Sequence, residues 1–308
     1  MGMANTKITA VRGNRIKKTT ASIIFDTCNY IFMVLLAFLT LYPLWHVAMA
    51  SISNPSSYMY HMGPILYPLG QITFASYEKV LSNPMIPLGY RNTIFYVLLG
   101  TSINMLMTML CAFVLSRKDL MLKGPLTAII IFTMYFSGGM IPTFLLVKDL
   151  KMLDTVWAII LPGTISTFNM IITRTAFANV PASLEESANL DGANDMVVLF
   201  RIIIPLTLPT LAVILLYYAV GHWNSWFSAM IYLNTREKYP LQLILREILL
   251  ANTEDASNAQ NTVADDSIPI SETIKYATIM VATIPILLVY PFLQKYFVKG
   301  VMIGAVKG

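Results

Sequence analysis

Long apolar runs separated by short polar stretches dominate the pattern along the chain. Six runs reach the roughly 20 helical residues that a bilayer's hydrocarbon core requires, at 23–50, 93–116, 125–147, 156–178, 206–227 and 274–297. Backbone amides in lipid must pair within their own segment, and the runs lack the alternation typical of a membrane barrel. We therefore predict an all-α, polytopic membrane protein with six transmembrane helices in a membrane domain at 23–297.

The first run could be mistaken for a secretory signal, since basic residues precede it and Ala48-Met49-Ala50 resembles a cleavage site. The apolar part of a signal peptide spans only about 7 to 15 residues, which is far shorter than 23–50. We interpret the run as an uncleaved first helix that follows a basic segment at 1–22.

The connections predict which side of the membrane each end occupies. Lys and Arg concentrate in 1–22, in the connections that follow the second and fourth runs, and in the tail at 298–308. The positive-inside rule then places both termini in the cytoplasm, with the protein in the cell membrane. Two long loops, 51–92 and 228–273, lie outside, and the second contains a short amphipathic stretch at 239–250 that predicts an interfacial helix.

Composition agrees with lipid as the main solvent of the chain. Of 308 residues, 56% are hydrophobic and 12% are charged, with a mean hydropathy of +0.64. The net charge of +5 is scattered in short clusters, so we expect no nucleic-acid partner. Cys28 and Cys111 lie in or beside apolar runs, where a thiol behaves as a small hydrophobe, so we expect no disulfide and no metal site.

Several kinds of catalytic signature are missing from the sequence. It has no H-E-x-x-H, no G-x-S-x-G and no G-x-x-x-x-G-K-[ST] phosphate loop, so we expect no enzyme and no ATP site in this chain. An ion-coupled secondary transporter is the alternative. Proton coupling usually needs a carboxylate within the membrane, and the six predicted cores have none away from their ends, but sodium coupling through carbonyls stays open.

The segment 181–205, predicted to be cytoplasmic, is more structured than a connecting loop requires. Ser183 followed by Glu186 fits a capping box, which predicts a helix start. Gly192 supplies the left-handed conformation that ends helices, and Asn194 or Asp195 can cap a second helix over 196–204. The segment is thus predicted to form a helix, a tight turn and a helix.

These residues resemble the EAA motif of the membrane permeases of binding-protein-dependent ABC importers. The motif is E-A-A, three residues, G, nine residues, I-x-L-P; it corresponds here to Glu186, Ser187, Ala188, Gly192, Ile202, Ile204 and Pro205. Ser187 and Ile204 depart conservatively from the pattern. The sequences at 222–224 and 295–308 resemble the carbohydrate-uptake branch, and 239–249 resembles a subgroup associated with complex oligosaccharides in Gram-positive bacteria.

The resemblance implies a type I importer fold and a set of partners. In the family, the helix-turn-helix docks into a cleft on a separate ATPase subunit, which holds ATP and Mg, and this chain binds no cofactor. The other partners implied are a second homologous permease, two ATPase subunits in all, and an external sugar-binding protein that delivers an oligosaccharide. The residues assigned to ATPase coupling are Glu185, Glu186, Ser187, Ala188, Asp191, Gly192, Ala193, Ile202 and Pro205.

A sugar pathway needs aromatic faces and neutral hydrogen-bonding groups with little fixed charge. The candidates are Asn104, Asn169, Tyr217, Tyr218, His222, Trp223 and Asn224. Other roles remain open for several of them. Trp223 could be an interfacial anchor, and Asn104 and Asn169 could hydrogen-bond between helices.

Overall fold

The computed structural model describes residues 19–259, 273–289 and 291, and this part of the chain is helical without a strand. Residues 1–18, the end of the predicted sixth span from 292, and the predicted tail at 298–308 lie outside the described residues. The α-helices are α1 Thr20–Ser51, α2 Pro55–Met59, α3 Ala75–Leu81, α4 Met85–Ser116, α5 Lys123–Tyr135, α6 Met140–Asp149, α7 Val156–Ile160, α8 Thr167–Ala178, α9 Ala182–Leu190, α10 Asp195–Val198, α11 Ile204–Trp223, α12 Phe227–Tyr232, α13 Leu241–Ala259 and α14 Thr273–Val289.

Three continuous helices are long and apolar enough to cross a membrane: Thr20–Ser51, Met85–Ser116 and Asp195–Trp223. The third joins α10 to α11 through a π-helical turn, Leu199–Ile203. The sequence predicted instead a separate helix at 196–204 followed by a span from 206. Pro205 does not interrupt the helix, because the wider turn before it relieves the clash between a proline ring and the preceding carbonyls.

Two of the predicted spans are bent pairs of helices rather than single helices. In place of 125–147 the chain forms α5 and α6, which meet at 111°, and in place of 156–178 it forms Val156–Gly163 and α8, which meet at 53°. Gly139, with φ +87°, lies at the first break, and Ser166 caps α8 after the second. With each pair counted as one span, the described residues provide five spans, and α14 is a shorter apolar helix.

Helix α4 lies at the centre of the bundle and packs against α8, α11 and α13. A buried cluster joins three of these helices and includes Phe113, Met170, Phe177, Leu199 and Ile214. Helix α1 is different, because the apolar residues along most of its length are exposed. Its apolar surface is available to lipid or to another membrane protein.

The bundle has two ends. We call the end formed by 116–123 and 178–205 the motif end, and the end formed by the start of α4 and by 228–251 the far end. At the far end, α13 crosses the start of α4, where the amide of Leu241 donates to Thr93 Oγ1 at 2.8 Å. Residues 241–250 of the predicted amphipathic stretch at 239–250 form the first half of this helix.

A carboxylate joins two connections at the far end. Asp154 accepts hydrogen bonds from the amides of Asn234 and Thr235 at 3.0 and 2.9 Å and from Lys238 Nζ at 2.7 Å. These donors hold the pKa of Asp154 well below its usual range, because each of them favours the charged form. The connection between α6 and α7 is therefore fixed to the connection between α12 and α13.

Candidate functional site: a rigid surface turn and a central polar cluster

The 181–205 segment is closed by its own backbone. Helix α9 ends at Leu190, and Gly192 follows with φ +82°. The amide of Gly192 donates to Asn189 O at 3.0 Å and that of Ala193 donates to Ala188 O at 2.9 Å, the two bonds of a Schellman motif. The side chain of Asn194 then caps α10 by accepting from the amide of Val197 at 2.9 Å. The turn between the two helices is thus fixed without a partner protein.

The predicted capping box is wrong. Helix α9 begins at Ala182, directly after Pro181, and within the described residues no side-chain hydrogen bond caps it. The earlier start places Ser183 inside the first turn, where its hydroxyl is no longer at the capping position. Glu185, rather than Glu186, is the acidic residue of that first turn.

Arg117, directly after α4, connects the 181–205 segment to the bundle. Its guanidinium bonds to the carboxylate of Glu185 and lies 3.3 Å from Asp195 Oδ1 and 4.1 Å above the ring of Phe113. The side chains of Arg117 and Glu185 are 20% and 21% exposed, whereas that of Asp195 is 78% exposed. The pair with Glu185 is therefore the stronger link, because solvent screens the other.

Two further cations complete the end of α4. Lys123 Nζ donates to the carbonyls of Ser116 and Arg117 at 3.2 and 2.7 Å, and Arg174 Nε donates to that of Leu115 at 3.1 Å. These bonds satisfy carbonyls that a helix end leaves unpaired, and they place positive charge at the negative end of the helix dipole. Sequence reasoning used Arg117 and Lys123 only as markers of orientation. The carboxylates that pair with Arg117 are distant in sequence, and hydropathy gives no sign of the bonds from Lys123 to the end of α4.

The nine residues assigned to coupling fall into two groups. Ala188, Ala193 and Ile202 are half-buried on the inner side of the segment with Glu185, whereas Glu186, Ser187, Asp191, Gly192 and Pro205 are exposed. Apolar side chains share the exposed surface, with Leu190 90% exposed and Leu184, Met196 and Phe200 partly so. An exposed leucine among neighbouring apolar side chains is typical of a protein-binding surface.

Three of the predicted substrate residues form a polar cluster between α4 and α11. Asn104 Nδ2 lies 3.3 Å from His222 Nε2, and the hydroxyls of Thr108 and Tyr218 lie 2.7 Å apart. Tyr218 also accepts from the amide of Ser166 at 3.0 Å, which joins α8 to the cluster. Asn104 is only 3% exposed, so the cluster works as a contact between helices in this conformation.

The other candidates lie elsewhere. Asn169 is buried on α8, and Tyr217 faces away from the cluster and is 46% exposed. Trp223 packs beside Tyr90 and donates to Ala282 O at 3.4 Å, and Asn224 is exposed at the end of α11. The structure therefore does not gather all seven residues into one site.

Replacing Gly100 by Ala should destabilise the protein, because an added Cβ would lie 2.5 Å from Nε2 of the His222 ring. We expect a cost of about 1 to 3 kcal/mol, the usual range for overpacking. A Cβ at Gly221 on α11 would meet nothing within 4 Å. Gly221→Ala is therefore the matched control and should be neutral or stabilising. Thermal unfolding midpoints in detergent test both changes, and equal midpoints for the two variants would contradict the close contact.

Comparisons with known proteins agree with a transport role for this helical membrane fold. The model of the binding-protein-dependent transport system inner membrane component family matches residues 7–303. A polygalacturonan/rhamnogalacturonan transport system permease protein of Bacillus subtilis, YtcP, is 42% identical over 92% of this chain and 99% of its own length. Protein LplC of the same organism is 39% identical over 94% of this chain and 97% of its own.

A solved structure resembles the fold as well. The crystal structure of a bacterial ABC transporter involved in the import of the acidic polysaccharide alginate contains a chain with a TM-score of 0.79 and 34% identity. The match covers 91% of this chain and 99% of that one. The fold is thus that of an ABC importer permease.

The chain belongs to the family of binding-protein-dependent transport system inner membrane components. It is an ABC transporter permease of the sugar-uptake type, a multi-pass protein of the cell membrane. Membership of this family favours an ABC importer over an ion-coupled secondary transporter. It implies an ATPase and a solute-binding protein as partners.

Proposed function

We propose that this chain translocates an oligosaccharide, delivered by an external binding protein, through alternating access driven by separate ATPase subunits. The observation that carries the proposal is the rigid 181–205 segment, which exposes apolar side chains around Leu190 and is fixed to the bundle. A flexible connection would absorb the movement of a bound ATPase, whereas a closed turn passes it on.

Two routes lead from this segment into the membrane helices. The first is covalent: Asp195–Trp223 is one continuous helix, about 43 Å long at 1.5 Å per residue. The second is the contact of Arg117 with Glu185, which joins α9 to the end of α4. A rotation of α9 would therefore move α4 and α11 together, and these two helices carry the Asn104–His222 contact.

The proposed role also assigns an orientation, a set of partner subunits and a route for the sugar. The motif end and both termini lie in the cytoplasm, where ATP is available, and ATP and Mg belong to two ATPase subunits. A second homologous permease covers part of the exposed apolar surface that α1 presents. Transient opening of the polar cluster would expose Asn104, Tyr218 and His222 to the sugar.

The experiment is reconstitution of this permease in liposomes with its second permease, its ATPase and its binding protein. We expect accumulation of oligosaccharide that requires ATP inside and the binding protein outside, and co-purification of the ATPase with the permease. Uptake that continues without the ATPase and follows an ion gradient instead would overturn the proposal.

A further inference from the structure

An open cleft of about 350 Å³ lies at the far end of the bundle, between the end of α11, α13 and α14. Its volume falls within the range of about 300 to 1,000 Å³ that is typical of small-molecule sites. Apolar side chains form much of the lining. The polar and aromatic members are Asn224, Trp226, Gln242, Arg246, Thr278 and Thr283.

Arg246 gives the cleft a fixed positive charge. Its guanidinium lies 4.6 Å over the ring of Trp226, and Nη1 lies 3.3 Å from the sulfur of Met230. Within the described residues no carboxylate pairs with it, and the adjacent Glu247 pairs with Arg236 at 2.7 Å instead. A guanidinium stacked on a ring keeps its in-plane N–H donors available, and two parallel donors match the geometry of a carboxylate.

Thr278 is a second, independent observation at this cleft. It lines the same cleft and is only 1% exposed, yet its hydroxyl has no hydrogen-bond partner in the part of the chain that the structure describes. A buried polar group without a partner is unfavourable, so a rotation of the Thr278 side chain that lets its hydroxyl pair with a hydroxyl-rich ligand in the cleft would remove that penalty. The amides of Asn224 and Gln242 add neutral groups of the kind that bind sugars.

We propose that this cleft binds a uronic-acid unit of an acidic oligosaccharide, with Arg246 pairing with its carboxylate. Thr278 and the two amides contact neighbouring hydroxyls. The inference rests on the proposed sugar transport and adds the charge of the substrate. An acidic ligand agrees with the substrates of two proteins that this chain resembles, the polygalacturonan/rhamnogalacturonan permease and the transporter of the acidic polysaccharide alginate. Those substrates belong to the two relatives.

The test measures binding to the assembled permease–ATPase complex in detergent without the binding protein, whose own preference would otherwise obscure the result. The probes are trigalacturonate and its fully methyl-esterified form, which differ only in the charged carboxylates. We expect the wild-type complex to bind the free acid about tenfold more tightly than the ester, a modest estimate for one charge-assisted pair.

Arg246→Gln should abolish this preference by weakening only the free acid, and Arg246→Lys should retain part of it. Arg236→Gln is the control, since Arg236 also lies at the far end but pairs with Glu247, and it should keep the preference intact. Equal binding of acid and ester by the wild type, no binding of either at millimolar concentration, or an unchanged preference in Arg246→Gln would each overturn the site. Loss of affinity for both probes in Arg246→Gln would show a structural role and overturn it too.

Failure of the broader function gives a different result. If the reconstituted wild-type transporter accumulated no sugar in response to ATP, the proposed transport would be wrong whatever the binding assay showed. ATP-driven uptake combined with binding that ignores the carboxylate would leave the transport role standing and remove only this site.

Discussion

Gly192→Val should reduce ATP-driven uptake at least about tenfold while leaving the protein in the membrane. Gly192 has φ +82°, and no atom lies within 4 Å of a Cβ added there, so the effect comes from the backbone alone. A β-branched residue in this conformation costs roughly 1 to 3 kcal/mol. The turn would relax, and the exposed surface around Leu190 would lose the orientation that the proposed ATPase contact requires. The measurement is uptake in proteoliposomes at matched amounts of inserted protein.

Gly192→Asn is the matched control for this prediction. Asparagine adopts the left-handed conformation far more readily than valine, and there is open space for its side chain. It should retain most of the uptake. If Val and Asn performed equally well, the closed turn would have no part in coupling. Glu186→Lys tests the exposed surface separately, because Glu186 is exposed and bonds to no group of the bundle within the described part of the chain. This change should also abolish coupled uptake.

Arg117→Met should have the second large effect, because it leaves the partly shielded carboxylate of Glu185 without its cation. We expect a loss of about 1 to 3 kcal/mol in the stability of the contact between α4 and α9. Uptake should fall by about tenfold or more while the ATPase activity of the complex persists, since the ATPase subunits would hydrolyse ATP without moving α4. The ratio of sugar transported to ATP hydrolysed measures this uncoupling.

A double-mutant cycle separates the ion pair from other contributions of Arg117. Glu185→Gln alone should also uncouple transport, and the double variant should be little worse than Arg117→Met, because both changes remove the same contact. Asp195→Asn is the control: its carboxylate also approaches Arg117 but is 78% exposed, so its loss should matter little. Additive losses in the double variant would contradict a direct link.

The sequence predicted the helical membrane fold and the turn at Gly192 because both depend on local chemistry. An apolar run of about 20 residues has few alternatives in lipid, and a glycine after a short helix commonly ends it. The sequence analysis did not predict the breaks in the third and fourth runs. The apolar pattern continues through Gly139 and Pro162, so hydropathy alone gives no sign of a bend.

Contacts between distant parts of the chain were beyond sequence reasoning. Arg117 lies 68 positions from Glu185, and no spacing rule connects them. Position along a helix was more informative, since Asn104 and His222 were both singled out as polar residues in apolar helices and lie in contact. Tyr217 and Asn224 belong to the same apolar run as His222 but lie outside the cluster, because helical rotation directs residues that are close in sequence to different faces.

The Schellman turn has a consequence for the proposed docking of the ATPase on this segment. Because backbone hydrogen bonds already close the turn, docking need not fold a disordered segment, and the entropy of ordering that usually weakens small interfaces is largely absent. A contact area as modest as one short helix could then support a stable joint. The subunits would associate as preformed bodies, with a binding enthalpy that reflects surface contact alone and no heat-capacity signature of coupled folding.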